Sequence, residues 1–311
     1  MIDASLASPR AVRQLIGAHG FSFRRSLGQN FLVDGNVLRN IIRAAEITAD
    51  DTVVEIGAGI GTLTRALASV ARRVLAIEID ARLHPVLHET MTHYGNIELL
   101  AQDALQLDWE GLWRDYGLTQ AKLVANLPYY ITSPLLINLL TEELPWESLT
   151  VMMQREVAER LTARPATKAY GTITVLASYY SDVEICQIVS PSVFMPQPGV
   201  DSAIVKFAMR PSGLEAVDPA LLWRVIKAGF AQRRKTLINA LMPRHSRAGS
   251  TASRPLGSGS SRGYYDENRF TGDSIDLRNR SRATGGDIDT TGLRGSCQPA
   301  GKVLLTCLMQ R

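Results

Sequence analysis

The chain has 311 residues, 45% of them hydrophobic and 21% charged, with a mean hydropathy of −0.01 and a formal net charge of +4. That length and balance suit one large globular domain plus a smaller one and exclude a fibrous chain or one disordered throughout; no apolar run approaches the roughly 20 residues of a membrane helix. The basic excess is local, since residues 1–242 hold 23 Lys and Arg against 24 Asp and Glu while the remainder holds 11 against 6, so the overall charge does not by itself mark the body as a nucleic-acid binder.

The first thirty residues mix Asp3, His19, Arg10, Arg13, Arg24 and Arg25 without a continuous apolar stretch or a small-residue cleavage site. No secretory leader is expected, and the cytoplasm is the expected compartment. Cys186, Cys297 and Cys307 lack CxxC spacing and are expected to be free thiols rather than a disulfide framework or a zinc site. From Asp51 to about Arg210, short β-branched runs alternate with segments of helical period. Thr52–Ile56, Val74–Ile79, Ile97–Leu100, Leu123–Ala125 and Leu149–Met153 read as strands, and Leu63–Val70, Ala81–Met91, Pro134–Glu142 and Gln154–Ala163 as helices. In that order they connect economically only as a parallel sheet with helices on both faces, a doubly wound α/β domain over residues 1–212. Val183–Val189 and Ala203–Met209, separated by a Pro-rich loop, predict an antiparallel pair closing the sheet's edge.

After Pro211 the pattern turns helical. Asp218-Pro219 is a helix start, and Leu221–Leu241 carries apolar residues at helical spacing together with Arg233, Arg234 and Lys235. Residues 243–311 hold 10 of the 24 glycines, ten arginines, one lysine and almost no apolar periodicity before Val303–Met309. Such a composition does not bury enough surface to fold. The amphipathic helix stops without a capping signal and arginine displaces lysine abruptly, so this tail reads as a frame error or a segment unrelated to the domain before it. The alternative is a natural, disordered, basic tail that binds RNA.

The chemistry gathers at the strand ends. Glu55-Ile56-Gly57-Ala58-Gly59-Ile60-Gly61 follows the first strand and precedes a helix, so its glycines can form a tight turn that lets a ligand approach backbone N–H groups. Glu78 closes the next strand, where a carboxylate can accept both hydroxyls of a ribose; the pair indicates an adenosine-containing cofactor. NAD and S-adenosylmethionine both satisfy this geometry. The GxGxG spacing with an acid ahead of it, and Asp103 just beyond a third strand to accept from an adenine amine, favour the methyl donor. Asn126-Leu127-Pro128-Tyr129 falls at the carboxyl end of the fourth strand, the edge where open α/β sheets bind ligands. Pro128 disfavours helical geometry at Leu127, so the Leu127 carbonyl can join the Asn126 side-chain oxygen in facing one amino group. Holding both N–H bonds of an adenine amine turns its delocalised lone pair toward an electrophilic methyl, while Tyr129 offers a stacking face for an extruded base. The five histidines are scattered, and His84 and His88 at i, i+4 lack a third ligand, so no metal site is expected.

Ser26-Leu27-Gly28-Gln29-Asn30-Phe31-Leu32, the glycine loop, Glu78, Asp103, the Asn126–Tyr129 turn and Pro191-Ser192-Val193-Phe194-Met195-Pro196 with Val200-Asp201-Ser202 occur in an order that resembles the ribosomal RNA adenine dimethyltransferases. The resemblance runs from about Arg10 to Met242. It implies a Rossmann-like sheet, S-adenosylmethionine as cofactor, and dimethylation at N6 of two adjacent adenosines near the 3′ end of small-subunit rRNA. It also implies a role in maturing the immature small ribosomal subunit. By position it implies cofactor contacts from Asn30, Leu32, Gly57, Glu78, Asp103 and Asn126, and places Asn126, Leu127, Tyr129 and Phe194 at the target, with Phe194 stacking on the base opposite Tyr129. Leu127 and the Tyr130-Ile131-Thr132-Ser133-Pro134 continuation look closer to the housekeeping enzymes than to the macrolide-resistance methyltransferases. The family ends in a small helical rRNA-binding domain; here it spans 213–242 and is truncated. The chain is expected to act as a monomer. The competing readings are a non-catalytic rRNA-binding assembly factor, against which the intact Glu78, Asp103 and Asn126 count, and a methyltransferase acting on DNA or a small molecule.

Overall fold

The computed structural model describes residues 2–24, 27–142, 144–210 and 219–231. In chain order they form α1 (Pro9–Ala18), β1 (Phe31–Leu32), α2 (Gly35–Ala44), β2 (Thr52–Ile56), α3 (Thr62–Ala68), β3 (Arg73–Ile77), α4 (His84–Met91), β4 (Ile97–Leu100), α5 (Trp109–Asp115), β5 (Ala121–Asn126), α6 (Thr132–Thr141), β6 (Trp146–Gln154), α7 (Arg155–Leu161), α8 (Thr172–Tyr180), β7 (Ser181–Val189), β8 (Phe194–Met195), β9 (Ser202–Met209) and α9 (Pro219–Ala231). Seven strands make one sheet in the order β4-β3-β2-β5-β6-β9-β7, and β9 runs antiparallel to both of its neighbours. The other pairings in the sheet are parallel, and β1 pairs with β8 outside it.

The expected doubly wound α/β sheet is present, and its alternation explains why. Along β2, Val53 packs with Val74, Val124, Met152 and Ile204 against Leu38, Ile41 and Leu67 of α2 and α3. Its neighbour Val54 points the other way, with Leu75, Leu123, Val151 and Val205, onto Leu135 and Leu139 of α6 and Leu176 of α8. All five residues of β2 are buried, as a strand covered on both faces must be. The expected edge pair is β7 with β9, and β9 joins it to β6.

Some boundaries differ for local reasons. The strand expected to reach Ile79 ends at Ile77, because the Glu78 carboxylate turns back to accept from the Gly59 and Asp80 N–H groups. The helix expected from Ala81 begins as a 3-10 turn, Ala81–Leu83, and becomes α-helical at His84, with Pro85 in the first turn where its missing N–H is tolerated. Helices α1, α2, α5 and α8 and the β1–β8 pair are additions to the sequence reading.

After the sheet, α9 packs Leu222 and Ile226 into the core beneath α8, and the Phe230 and Tyr170 rings meet at 5.9 Å. The expected helix to Leu241 is thus described as far as Ala231. Arg25, Ser26, Arg233, Arg234, Lys235, the remainder of 213–242, the tail 243–311, Cys297 and Cys307 lie outside the described residues. Among the described residues, Cys186 is a free, exposed thiol, and no helix is long and apolar enough to cross a membrane.

Candidate active site

The sheet order reverses at β2 and β5: β3 and β4 lie to one side and β6 to the other. That switch point opens a crevice at the strands' carboxyl ends, where the first turn after β2 and the last residue of β5 face each other. The cleft and its mouth hold ≈ 1210 Å³ of open space. Asn30, Leu32, Gly57, Glu78, Asp103, Asn126, Leu127 and Tyr129 all line it, so eight of the nine candidate residues converge from distant points of the sequence.

Gly57, Gly59 and Gly61 all adopt positive φ (77°, 61° and 86°), the region a tight turn reserves for glycine. A Cβ on Gly61 would lie 2.8 Å from Thr90 Oγ1, whereas one on Gly57 would find nothing nearer than the Asn126 carbonyl at 3.8 Å. Gly57 therefore keeps space open opposite Asn126. The expectation that the loop offers its N–H groups to a ligand is corrected at three positions. Gly57 and Ala58 donate to the Ile77 carbonyl (2.9 and 3.2 Å), and Gly59 donates to Glu78 Oε2 (2.8 Å). The loop binds the neighbouring strand end and its acid, and so fixes Glu78 in place.

Three acids line the cleft, Glu55, Glu78 and Asp103, and among the described residues no Lys, Arg or His does. Glu78 is 6% exposed, and burial raises its pKa against the opposing hydrogen bonds from Asp80 and Gly59. Glu55, 1% exposed, is pushed up to about 8, chiefly by burial and in smaller part by the charge on Glu78. Its Oε2 and the Thr62 hydroxyl are buried without hydrogen-bond partners among the described residues. Asp103 accepts from the Leu105 N–H through Oδ1 (2.9 Å), which leaves the second oxygen for a ligand amine. In the sequence Glu55 stands out only as the acid ahead of the glycine loop, and the signal of its burial is a carboxylate inside a β-branched strand. A diphosphate dinucleotide would bring two negative charges to these carboxylates, with no lining cation among the described residues and with three loop amides already taken. A cationic adenosine derivative suits the same wall, because its charge offsets carboxylates that face no cationic side chain among the described lining residues.

On the opposite bank Asn126 ends β5, and its Nδ2 donates to the Asn30 carbonyl (3.2 Å). A carbonyl partner demands the NH2 group, so the amide oxygen is turned away as a free acceptor. Leu127 buries its side chain and donates its N–H to the Met152 carbonyl (3.2 Å). The Pro128 carbonyl accepts from Ile131 and starts α6. The half-buried Tyr129 ring is held at its hydroxyl by Ser202 Oγ of β9 (2.8 Å). Two apolar groups missed from sequence, Ile79 and Tyr130, stand exposed at the mouth at 52% and 57%.

Phe194 is the exception to the convergence. It is 4% exposed, does not line the cleft, and packs with Leu32, Val37 and Ile204 in the core under α2. In the β1–β8 pair it faces Leu32. The expected stacking face opposite Tyr129 is therefore not presented; the ring anchors the loop instead. His84 bonds through Nε2 to the Glu78 carbonyl (3.0 Å).

Comparison with known proteins agrees with this arrangement. The sequence model of the family described as ribosomal RNA adenine dimethylase matches residues 20–254. Ribosomal RNA small subunit methyltransferase A of Geobacillus thermodenitrificans (strain NG80-2) is 46% identical over 240 residues, covering 76% of this chain and 82% of that protein. The protein of the same name from Bacillus cereus (strain B4264) is 46% identical over 239 residues, with the same coverage of 76% and 82%. Among solved structures, a dimethyladenosine transferase from Plasmodium falciparum superposes with a TM-score of 0.61 at 30% identity, covering 68% of this chain and 74% of that one. The 23S rRNA methyltransferase ErmE superposes with a TM-score of 0.55 at 30% identity, covering 70% and 86%.

Proposed function

The chain belongs to the ribosomal RNA adenine dimethylase family, and from that premise we propose that it dimethylates N6 of two adjacent adenosines near the 3′ end of small-subunit rRNA, as a cytoplasmic monomer acting on the immature subunit. It is an S-adenosylmethionine-dependent rRNA adenine dimethyltransferase. Higher identity to relatives named for the small subunit than to the 23S enzyme supports the choice of rRNA.

When bound, S-adenosylmethionine supplies a methyl group on a positively charged sulfur. Glu78 would hold the ribose hydroxyls, Asp103 the adenine amine, and Asn30, Leu32 and Gly57 the rest of the donor, with Asn126 at the boundary between donor and target. Glu55 and Glu78 would complement its positive charge, with no competing basic side chain in the lining among the described residues. Asn126 Oδ1 accepts one N6–H of the target adenine and the Leu127 carbonyl the other, which orients the lone pair along the line of attack. Tyr129 stacks on the extruded base, its ring fixed by Ser202. Phe194 supports the opposite wall from beneath, through Leu32. Rate acceleration comes from alignment and from preorganised acceptors in a site that Leu27–Leu32 helps shield from water. In that transfer the N6–carbon bond would form as the donor's sulfur–methyl bond breaks, leaving neutral S-adenosylhomocysteine, and the methylated nitrogen would then lose its proton to water. Residues 1–212 would carry the chemistry and 213–242 would begin the helical rRNA-binding domain, with the family match running on to residue 254.

The observation that carries this reading is the Asn126 amide, whose NH2 group is taken by the Asn30 carbonyl so that its oxygen is left as the acceptor, in a cleft that three carboxylates and Tyr129 also line. The test is incubation with labelled S-adenosylmethionine and unmethylated small subunits, followed by nucleoside analysis. N6,N6-dimethyladenosine in small-subunit rRNA is the expected product. Donor binding with no labelled nucleoside would favour a non-catalytic assembly factor, and label in DNA would move the substrate class.

A further inference from the structure

The stretch Leu27–Leu32 forms a strap along the cleft, with anchors on both banks. On the donor bank, Gln29 Nε2 donates to Asp80 Oδ2 (2.9 Å), while Gln29 Oε1 accepts from the Arg24 N–H (2.8 Å). Both ends of the carboxamide are therefore committed to the protein. The Asp80 side chain is 4% exposed, Arg82 pairs with it, and its N–H donates to Glu78 Oε1 (2.9 Å). On the target bank, the next residue, Asn30, offers the carbonyl that receives Asn126 Nδ2, and Phe31–Leu32 pair with Phe194–Met195. One peptide separates the Gln29 latch from the group that orients Asn126.

We propose that Gln29 is a positioning residue: by latching the strap to Asp80 it fixes the Asn30 carbonyl that turns the Asn126 amide oxygen toward the target amine, and it closes the strap against the methyl donor. The proposal deepens the reading above and rests on it for the role of Asn126. It also joins the two half-sites physically, because Asp80 bonds both the strap and the acid that holds the ribose. A displaced strap loosens donor and acceptor together, whereas loss of a residue that merely packs would not depend on the charge at position 29.

Two variants of the full chain test this. Gln29→Ala strips a donor from a buried, charged acceptor, a change worth about tenfold or more in an equilibrium. The expected results are about tenfold weaker S-adenosylmethionine binding, a lower kcat at saturating donor and unmethylated small subunits, and faster amide hydrogen exchange in the 27–32 segment. Gln29→Glu keeps size and the bond from Arg24 but sets a carboxyl against Asp80. Protonated, that carboxyl donates to Asp80 Oδ2 as the amide did; ionised, it is repelled. Arg82 offsets part of the repulsion, Arg24 and His84 lie on neighbouring segments, and Glu78, Asp103 and Tyr130 face the same cleft. Taking the ratio to wild type at each pH cancels the titration of groups common to both proteins. The Gln29→Glu deficit in affinity should deepen as pH rises and shrink toward wild type as it falls; recovery at low pH also shows that the variant is folded. Wild-type affinity and exchange in both variants would overturn the proposal, as would a Gln29→Glu deficit that does not change with pH. If wild type binds donor but methylates no rRNA adenosine, the reading of function fails by itself, and affinity and exchange still decide the latch.

Discussion

Replacing Glu55 by Gln should make the donor-free protein more stable at alkaline pH and should remove the pH dependence of donor binding that this acid creates. In the native chain Glu55 is 1% exposed and its pKa stands at about 8 against an ordinary 4.5, chiefly because burial disfavours its charge. The folded state thus keeps a proton that the unfolded chain releases, so this residue's stabilising contribution is complete below about pH 4.5 and is lost as pH rises through about 8. At about 1.36 kcal/mol per pH unit, the loss relative to a neutral side chain reaches about 3 kcal/mol at pH 7 and about 5 kcal/mol above pH 8. Urea unfolding without donor, at about pH 5 and about pH 8.5, should show the two proteins alike at the lower pH and Glu55→Gln the more stable at the higher.

The same proton governs binding. A cationic donor favours ionised Glu55, so binding expels the proton, and wild-type affinity should rise by up to about tenfold per pH unit between about 6 and 8. Calorimetry in buffers of different ionisation enthalpy counts the proton released. Glu55→Gln should bind more weakly above pH 8 with a flatter profile, the remaining slope belonging to Glu78, whose pKa burial also raises. S-adenosylhomocysteine, which lacks the sulfonium charge, should show a smaller rise. If both proteins lose the same stability between the two pH values, or wild-type affinity is flat from 6 to 8, the electrostatic account of the cleft is wrong.

Asn126→Ala should reduce methyl transfer by about a hundredfold or more, the scale set by losing a preorganised hydrogen-bonding group at the reacting atom. Donor affinity, read by calorimetry, should change only a few-fold; unchanged turnover would remove Asn126 from the chemistry. The second transfer should be slower than the first in single-turnover experiments, because the monomethylated amine has one N–H for two acceptors; equal rates would contradict the paired-acceptor arrangement. Gly61→Ala should destabilise the fold by about 2 to 3 kcal/mol, combining a left-handed backbone with the displacement of Thr90 from its bonds to the Ile60 and Leu87 carbonyls. Chemical denaturation measures this, and a loss below about 0.5 kcal/mol would show that the turn relaxes freely.

The sheet was legible because its inner strands, such as Thr52–Ile56, are buried on both faces and so read as unbroken apolar runs between helical periods. Thr52–Ile56 and Ile97–Leu100 fall where the pattern places them. Where the reading slipped, a side chain had overruled the backbone pattern: Glu78 ended β3 early by accepting two N–H groups, and Pro85 delayed α4. Helix α8 stayed hidden because Thr172–Tyr180 is rich in β-branched and aromatic residues, which suit a strand as well as a buried helix. Its environment decides the matter, since Ile173, Val175, Leu176 and Ala177 pack into the core that α6 and the sheet also line.

At the site, the residues visible in sequence are those whose chemistry is complete in one side chain at a strand end. Glu78, Asp103 and Asn126 each present an acceptor wherever the strand delivers them, so position along the chain is enough to place them in the cleft. Gly57 and Phe194 are different, because their use depends on what a partner has already taken. The Gly57 N–H is spent on Ile77 and the Phe194 ring on Leu32 and α2, although both residue types suited the roles first given to them. Gln29 shows the converse. An amide in a loop carries no signal of its own, yet its two bonds connect Arg24, Asp80 and, through Asn30, the acceptor Asn126. A residue that acts by holding another becomes visible only when both of its partners are placed, so the parts of this site that bind and react can be read along the chain, and the part that couples them cannot.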